Sequence, residues 1–284
     1  MAGILYLCAT PIGNLEDMTA RGLRMLKEVD LIACEDTRTS GHLLKYFGIT
    51  TPVTSYHKFN EETKGEELLR KLLAGQSIAV ITDAGMPGIS DPGEILVRKC
   101  HEAGVTVTAL PGASASVTAL ALSGQATRRF VFEGFLPTET KEKEEALSRI
   151  RKEERTVILY EAPHRLIRTL TSLRETVGGG RSISLCRELT KKHEEIVKTT
   201  IGEALAAYET KEPRGEYVLV LAGKSHEEAV REETAKWQDM DISSHVAMYE
   251  ARGQDHKTAM KSVAADRGIS RRDVYQALLK EKDN

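Results

Sequence analysis

Apolar runs alternate with amphipathic segments along the first two thirds of the chain. In the first third, continuous apolar runs predict strands at residues 4–9, 31–34, 53–57, 78–82 and 105–110. Segments with helical periodicity lie between them, and residues 61–74 place four leucines on one helical face. Such alternation is typical of a mostly parallel sheet that is covered on both faces. The pattern therefore predicts an α/β domain over residues 1–117.

A second α/β domain is predicted over residues 118–224. Its strand candidates lie at residues 130–135, 156–160, 182–186, 195–201 and 217–222. The richer strand content of this region favours a mixed sheet. From residue 225 the chain becomes polar, and residues 225–284 are interpreted as a linker followed by a small helical pair.

The predicted helical pair carries local positive charge. Asp255 is expected to cap the first helix, Gly268 to end it, and residues 270–273 match a capping box before the next apolar run. Between residues 256 and 280 there are six basic side chains and two acidic ones. This balance fits a solvated helical face, and it also fits a surface that binds nucleic-acid phosphates.

The composition is that of an ordinary globular protein. The 284 residues include 40 basic and 42 acidic side chains, so the net charge of −2 does not by itself indicate a nucleic-acid binder. The four cysteines lack CxxC spacing and are interpreted as buried reduced thiols. There is no signal-peptide pattern and no apolar run of about 18 residues, so we expect a cytoplasmic protein without a membrane segment.

A loop rich in glycine and proline follows the fourth predicted strand, with the sequence ITDAGMPGISDPG at residues 81–93. Asp91 and Pro92 suit the N-cap and the first position of the helix that comes next. Residues 83–87 have no such local explanation. Ligands of open α/β sheets bind beyond the carboxyl ends of the strands. We therefore interpret residues 83–87 as part of a ligand site.

Further loops place unusual residues at the same sheet edge. A loop with Pro11 and Gly13 follows the first strand, and small residues at 112–115 follow the fifth. Asp36 and Arg38 follow the second strand, where they fit either a helix N-terminus or a substrate-facing cluster. Together these loops favour a small-molecule site. The first loop lacks the GxGxxG pattern of dinucleotide sites, and no HExxH, GxSxG or P-loop pattern supports the corresponding enzyme classes.

Charged residues also follow two strands of the second domain. Glu161 and Arg165 come after one apolar run, and Arg187, Glu188 and Lys191 come after another. Basic side chains at strand ends indicate a basic cleft. Arg165, Arg187 and Lys191 would line this cleft, and Arg38 of the first domain would hold a phosphate of the substrate.

Nine separated motifs resemble one known family. They read TPIGNLEDMT, ACEDTRTS, SYHKFNE, TDAGMPGISDPG, LPGASAS, FEGFLP, LYEAPHR, CRELTKKHEE and RGEYVLVLAG, and together they extend over about residues 3–224. In this order and spacing the chain resembles the rRNA-methylating branch of the tetrapyrrole methylase-like, or class III, methyltransferases. The resemblance implies two α/β domains with S-adenosylmethionine in the cleft between them, and a homodimer. It also implies 2′-O-methylation of a cytidine ribose in the decoding-centre region of 16S rRNA, within naked rRNA or the small ribosomal subunit.

The resemblance also implies roles for individual residues. Those expected beside the cofactor are Pro11, Ile12, Gly13, Asp83, Ala84, Gly85, Met86, Ser114, Ala115 and Tyr160. Those expected on the catalytic, RNA-facing side are Asp36, Arg38, Glu161, Arg187, Glu188 and Lys191. A carboxylate at Asp36, Glu133, Glu161 or Glu188, or a Lys191 with a lowered pKa, could serve as general base.

Two departures from the wider family bear on the substrate. The first loop lacks the GxGxGD pattern of the tetrapyrrole enzymes, and residues 83–86 replace their Gly-Asp-Pro sequence. Both favour rRNA over the alternative acceptor, a precorrin-like tetrapyrrole. Methyl transfer from a sulfonium needs alignment rather than a metal, so no metal is expected.

Overall fold

The structure is a computed structural model that describes residues 1–225, 228, 237 and 239–282. Within these residues the chain forms two compact units. One unit comprises Met1–Arg151 and Arg155–Ala222 and contains two five-stranded sheets. The other comprises Lys152–Glu154 and Gly223–Asn284 and contains helices.

The first sheet is parallel throughout, with strand order β3-β2-β4-β1-β5. Its strands are β1 (Ile4–Cys8), β2 (Leu31–Cys34), β3 (Val53–Ser55), β4 (Ile78–Ile81) and β5 (Thr106–Leu110). The helices between them are α1 (Ala20–Glu28), α2 (Thr37–Tyr46), α3 (Glu61–Leu73) and α4 (Glu94–Glu102). Separate apolar cores lie on the two faces of the sheet, as the uninterrupted apolar strands predicted.

The structure decides between the interpretations of two aspartates near helix starts. α2 begins at Thr37, and the Asp36 carboxylate caps it by accepting a hydrogen bond from the Arg38 amide. The prediction that Asp91 caps α4 is wrong. That helix begins at Glu94, its N-cap is Gly93 with φ 149°, and no side chain caps it.

The second sheet is mixed, which confirms the prediction, and its strand order is β6-β7-β10-β8-β9. Its strands are β6 (Phe130–Phe135), β7 (Thr156–Glu161), β8 (Ser182–Arg187), β9 (Glu195–Thr200) and β10 (Tyr217–Leu221). The associated helices are α5 (Ala115–Leu122), α6 (Thr140–Lys152), α7 (Pro163–Val177) and α8 (Ile201–Tyr208). Only β6 and β7 are parallel; β10 runs antiparallel to both β7 and β8.

Helix α5 packs on the second sheet. Ala119 and Leu120 are buried against Ile158, Val218 and Val220 of that sheet. The domain boundary predicted at residues 117/118 therefore falls inside a helix that packs as one piece. The boundary itself remains a prediction, since both sheets belong to one compact unit.

The C-terminal unit contains a helix that the sequence pattern did not predict. Besides the expected pair, α10 (His256–Arg267) and α11 (Arg271–Lys282), it contains α9 (Ile242–Ala251). Most of the predicted linker, residues 226–227, 229–236 and 238, lies outside the described residues. No helix in the described part of the chain has the length and apolar character needed to cross a bilayer.

Candidate active site

A cavity of about 310 Å³ lies between the two sheets of the first unit. The carboxyl edge of the first sheet supplies loops that contain Ile12, residues 83–86 and residues 114–115. Tyr160 and Val218 line the cavity from the second sheet. β7 and β10 are antiparallel with Tyr217 opposite Glu161, so the start of β10 lies beside the end of β7. The volume of this cavity is within the range of about 300–1,000 Å³ that is usual for small-molecule sites.

A second cavity, of about 520 Å³, adjoins the first. One wall is a face of α2 with Thr39, Leu43 and Tyr46, and another is the loop after β1 with Pro11 and Gly13. The residues that line both cavities are Ile12, Asp83, Ala84, Lys191 and Glu216. These five residues form a wall that the two cavities share, so the cavities are adjacent.

Backbone hydrogen bonds join the loops after β1 and β4. Thr10 and Gly85 exchange two of these bonds, at 2.9 and 3.1 Å, and the Thr10 hydroxyl donates to the Thr82 carbonyl at 3.0 Å. Gly85 has φ 83°, which favours glycine, and a Cβ there would lie 3.4 Å from the Ile12 side chain. These bonds hold Asp83 and Ala84 at the shared wall.

The loop after β1 also makes a close approach to the second sheet. A Cβ added to Gly13 would lie 2.4 Å from Cγ of Lys191 and 3.0 Å from the Leu189 carbonyl oxygen. Only glycine fits between these elements without displacing one of them. Gly13 therefore positions the connection between β8 and β9 against the first sheet.

Most of the residues predicted to lie beside the cofactor are brought together. Those that line the smaller cavity are Ile12, Asp83, Ala84, Gly85, Met86, Ser114, Ala115 and Tyr160. Pro11 and Gly13 line the larger cavity instead. The Tyr160 hydroxyl accepts a hydrogen bond from the Ser116 amide at 3.2 Å, which ties β7 to the start of α5. The placement is consistent with one ligand site, and the individual roles remain predictions.

Lys191 lies at the centre of an ion-pair network. Its ammonium donates to Oε1 of Glu188 and to Oε2 of Glu216, each at 2.8 Å. Burial alone lowers the pKa of Lys191, but the hydrogen bonds to these two carboxylates outweigh it, so the pKa is raised. The hydrogen bond from Lys191 likewise lowers the pKa of Glu188. The hypothesis that Lys191 is a base with a lowered pKa is therefore wrong, and Lys191 is a bound cation.

Other predicted catalytic residues already have protein partners. Glu161 is buried and accepts hydrogen bonds from the Ala162 amide and the Thr169 hydroxyl, and it lies 3.4 Å from Nε of Arg165. Nε of Arg187 donates to Glu195 at 3.0 Å. Two of the arginines expected in the basic cleft thus pair with carboxylates in the structure, and their contact with a substrate stays a prediction.

Asp36 and Arg38 lie outside the residues that line either cavity. Hydrogen bonding to the Arg38 amide lowers the pKa of Asp36, in keeping with its capping role. The Arg38 side chain is 89% exposed and lies 3.6 Å from Asp36. Of the two interpretations for this pair, the structure supports the helix N-terminus, while Arg38 remains accessible to an external ligand.

Sequence reasoning missed Asp91 as a cavity residue. Its carboxylate lines the smaller cavity and has no hydrogen bond or ion pair with any residue in the described ranges. Burial, followed by the charges of Glu35 and Asp83, raises the pKa of Asp91 to about 7. Asp91 precedes a proline, which is the local pattern of a helix cap, so nothing in the sequence indicated that this residue lines a cavity.

The loop that holds Asp91 is tightly closed. The Gly88 amide donates to the Pro92 carbonyl at 3.2 Å, and Ser90 has φ 66°, a left-handed conformation that is uncommon outside glycine. A Cβ on Gly134 of β6 would lie 3.2 Å from the Ser90 hydroxyl oxygen. Strained backbone next to a carboxylate without partners is a common feature of functional sites.

Comparison with known proteins gives the family. The model of the Tetrapyrrole (Corrin/Porphyrin) Methylases matches residues 4–205. This chain belongs to the tetrapyrrole methylase family. The matched segment begins at β1 and ends within α8, so it includes the loops that line both cavities from the first sheet.

Relatives within the family are similar over nearly the whole chain. A protein of Synechocystis sp. is 48% identical over 277 residues, which cover 98% of this chain and 98% of that protein. A protein of Bacillus subtilis is 45% identical over 275 residues, which cover 97% and 94% of the two chains. Both are named ribosomal RNA small subunit methyltransferase I. The resemblance to the rRNA-methylating branch is thereby confirmed.

Solved structures show the same fold at low sequence identity. A diphthine synthase has a TM-score of 0.62 with 13% identity, over 80% of this chain and 93% of that one. Uroporphyrin-III-C-methyltransferase from Thermus thermophilus has a TM-score of 0.55 with 18% identity, over 77% and 94%. The predicted architecture of this family is confirmed.

Proposed function

We propose that this protein transfers the methyl group of S-adenosylmethionine to small-subunit rRNA. The observation that carries the proposal is the pair of adjoining cavities in a tetrapyrrole methylase fold, one for a cofactor and one for an acceptor. Two relatives, aligned with this chain over 94% or more of their own length, are named as rRNA methyltransferases. Such a substrate is consistent with a cytoplasmic protein. The finer assignment is the 2′-hydroxyl of a cytidine in the decoding-centre region of 16S rRNA.

The smaller cavity fits S-adenosylmethionine chemically. Ala84, Leu189 and Val218 offer apolar surface to an adenine ring, and Tyr160 offers an aromatic one. Asp83 adds a carboxylate without a bound cation in the described chain, which suits a ligand that carries a positive sulfonium and an ammonium group. When bound, this cofactor supplies a methyl group already activated by the sulfonium.

The larger cavity fits a single nucleotide of an RNA strand. Tyr46 is 66% exposed and lies on its α2 wall, where it can stack on a base. Thr39 and His42 on the same wall can bond to base or sugar. A nucleotide displaced from the stack of its neighbours can enter a pocket of this kind.

Asp91 is the candidate general base. A ribose hydroxyl becomes a good nucleophile only as its proton leaves, and a base with a pKa near the working pH is best suited to accept it. Asp91 lines the smaller cavity, and the charge of Asp83, which lines both cavities, is among the causes that raise its pKa. Lys191, held as a cation at the shared wall, can stabilise negative charge on the acceptor oxygen.

We also propose a homodimer. Val117 and Leu122 on α5 are exposed, and so are Ile196 and Val197 on the edge strand β9. Lys198 of β9 donates to the carbonyl of Gly124 just after α5, so the edge strand and the end of this helix are neighbours, and Ile196 points to the same face of β9 as Lys198. A second copy placed against β9 and α5 would cover apolar side chains and the unpaired edge of the sheet. Light scattering that gives the mass of one chain at micromolar concentration would rule this out.

The proposed activity is tested by methyl transfer and mapping. The purified chain is incubated with isotopically labelled S-adenosylmethionine and with either naked 16S rRNA or small subunits from cells lacking the activity. Mass mapping of the digested rRNA should show one new 2′-O-methylcytidine in the decoding-centre region. Label on a precorrin-like tetrapyrrole and none on rRNA would support the alternative acceptor instead.

A further inference from the structure

The C-terminal unit has the topology of a helix-turn-helix module. α10 ends at Arg267, its C-cap is Gly268 with φ 63°, and α11 begins at Arg271, so the three residues 268–270 join the two helices. The Ile269 amide donates to the Ala264 carbonyl at 3.0 Å, and the Ser270 hydroxyl caps α11 by accepting from the Asp273 amide at 3.2 Å. Two helices joined by a short turn that contains glycine define this motif.

Its packing matches the topology. Ala264 and Val263 of α10 and Val274 of α11 are buried in one apolar cluster, to which α9 contributes Val246. The small Ala264 lets the two helices approach near the turn, and α9 contacts both of them. The unit is therefore a three-helix arrangement in which α11 occupies the place of a recognition helix.

The charges of this unit are distributed unevenly between its interior and its surface. Asp255 caps α10, Asp273 caps α11, and Asp266 binds His245 and the Tyr249 hydroxyl. Each of these acidic groups is occupied by a contact inside the unit. Arg267 is also internal, since it donates to His245 and to the Met240 carbonyl, so it does not belong to the basic surface that the charge count suggested.

On α10 and α11, four of the described cations are available at the surface. Lys257 and Lys261 are exposed and lie four residues apart on α10, while Arg271 and Arg272 are exposed in the first turn of α11. None of the four side chains has a hydrogen bond or ion pair with any part of the chain that the structure describes. Uncompensated cations on both helices of such a module are complementary to phosphates.

The outward face of α11 continues from arginine to an aromatic residue. Tyr275 is 52% exposed and follows Arg271 by four residues, so both lie on the same side of the helix. Gln276 is exposed beside it. An exposed tyrosine near two free arginines provides a stacking surface next to phosphate contacts.

We infer that the C-terminal unit is an RNA-binding module separate from the two cavities, in which Lys257, Lys261, Arg271 and Arg272 contact phosphates and Tyr275 stacks on an unpaired base. The choice of RNA rests on the proposed function. The deep, narrow major groove of an RNA duplex excludes side chains, so base contact has to occur at an unpaired nucleotide. A DNA duplex is the other ligand that this topology could accept.

Binding of the full-length chain to RNA tests the inference. Fluorescence anisotropy is measured over a salt series with three probes: a 16S rRNA hairpin with unpaired loop bases, a fully paired RNA duplex, and a DNA duplex of equal length. The variants are Arg271→Ala/Arg272→Ala and Tyr275→Ala. The matched control is Arg24→Ala/Lys27→Ala, which removes two exposed cations from α1.

The arginine variant and Tyr275→Ala should differ in how the affinity for RNA depends on salt. Loss of two phosphate contacts should weaken hairpin binding by roughly tenfold and reduce the slope of log affinity against log salt by roughly 1.5–2. Tyr275→Ala should weaken hairpin binding by roughly fivefold or more with an unchanged slope, and Tyr275→Phe should retain it. The control should behave as the wild type.

Three outcomes would overturn the inference: an unchanged salt slope in the arginine variant, an unchanged affinity in Tyr275→Ala, or binding of the DNA duplex as tight as that of the hairpin. Circular dichroism of each variant separates these results from misfolding. If the wild type methylates no rRNA, the proposed function fails. If it does so and the arginine variant binds hairpin as the wild type does, only this inference fails.

Discussion

Asp91 lies at a position in the structure that its local sequence predicted wrongly. Its sequence context, an aspartate before proline at the start of a helix, is that of a capping residue. In the structure α4 begins three residues later, and Asp91 lines a cavity without a bonding partner among the described residues. Its pKa is raised to about 7 because burial and neighbouring carboxylates disfavour its charge.

Replacement of Asp91 by asparagine should slow methyl transfer. We expect kcat to fall by roughly 10²–10⁴-fold if Asp91 accepts the ribose proton. In the wild type kcat/KM should rise with pH through about 7 as Asp91 of the free protein loses its proton, and this limb should vanish in the variant. The measurement is kcat/KM for methyl transfer from pH 5.5 to 8.5. Glu102→Gln, an exposed carboxylate at the end of α4, is the control, and a retained limb in Asp91→Asn would exclude Asp91 as the base.

Asp91→Asn, although it should lower activity, should raise the stability of the folded protein at neutral and higher pH. The folded protein holds a proton on Asp91 between its ordinary pKa of 3.8 and about 7, whereas the unfolded chain does not. Stability of the wild type therefore declines over this window as pH rises, and Asp91→Asn removes the decline. Thermal unfolding should show the variant more stable than the wild type at pH 8, with a smaller difference at pH 4. An equal difference at both pH values would contradict the raised pKa.

At the scale of elements, glycines set how closely loops of the two sheets approach. Gly13 lies against the connection between β8 and β9, and Gly215, with φ 78°, lies against the side chain of Glu188. A Cβ on Gly215 would lie 2.4 Å from Cγ of Glu188. Both contacts position the Lys191 network, which no pattern along a single strand or helix could predict.

Gly13→Ala should therefore disturb both stability and cofactor binding. Forcing an extra methyl group into this contact should cost roughly 1–3 kcal/mol of unfolding free energy. Urea denaturation and calorimetric titration with S-adenosylmethionine measure the two effects. Gly41→Ala is the control, because its Cβ would meet nothing within 4 Å inside α2 and should stabilise that helix by up to about 1 kcal/mol. Equal behaviour of the two variants would show that the close approach is unimportant.

At the scale of the whole molecule, the chain divides into a unit with two sheets and a helical unit. The residues that line both cavities belong to the first. The matched family segment ends at residue 205, before the helical unit resumes at Gly223. The two units thus carry different parts of the proposed function, cofactor and acceptor binding in one and additional RNA contact in the other.

Cofactor binding should stabilise the two units differently. At a concentration of S-adenosylmethionine about 100 times its Kd, the unit with two sheets should gain about 2.7 kcal/mol. Differential scanning calorimetry should show its transition move to higher temperature while that of the helical unit stays in place. S-adenosylhomocysteine, which lacks the sulfonium charge, should shift the transition less if the carboxylate of Asp83 acts on that charge. A shift of both transitions together would show that the two units unfold as one.

The sequence alone determined the elements and the edge at which the site lies. The predicted strands agree with every strand of the two sheets to within two residues at either end. The central strands β4 and β10 are continuous apolar runs because they are buried on both faces. Parallel strands with unusual loops at their carboxyl ends indicated the region of residues 83–86 and 114–115. The helix α9 was missed, since its apolar residues are not confined to one clear face.

Only the tertiary structure decided which side chains have partners. Pairing of β10 with β7 brought Val218 to the cavity. The fold gave carboxylate partners to three cations: Lys191 pairs with Glu216, Arg165 with Glu161 and Arg187 with Glu195. The fold also left Asp91 without one and committed Arg267 to the interior of the helical unit. Sequence patterns report burial and local backbone preference, whereas ion pairing and pKa depend on which strands become neighbours.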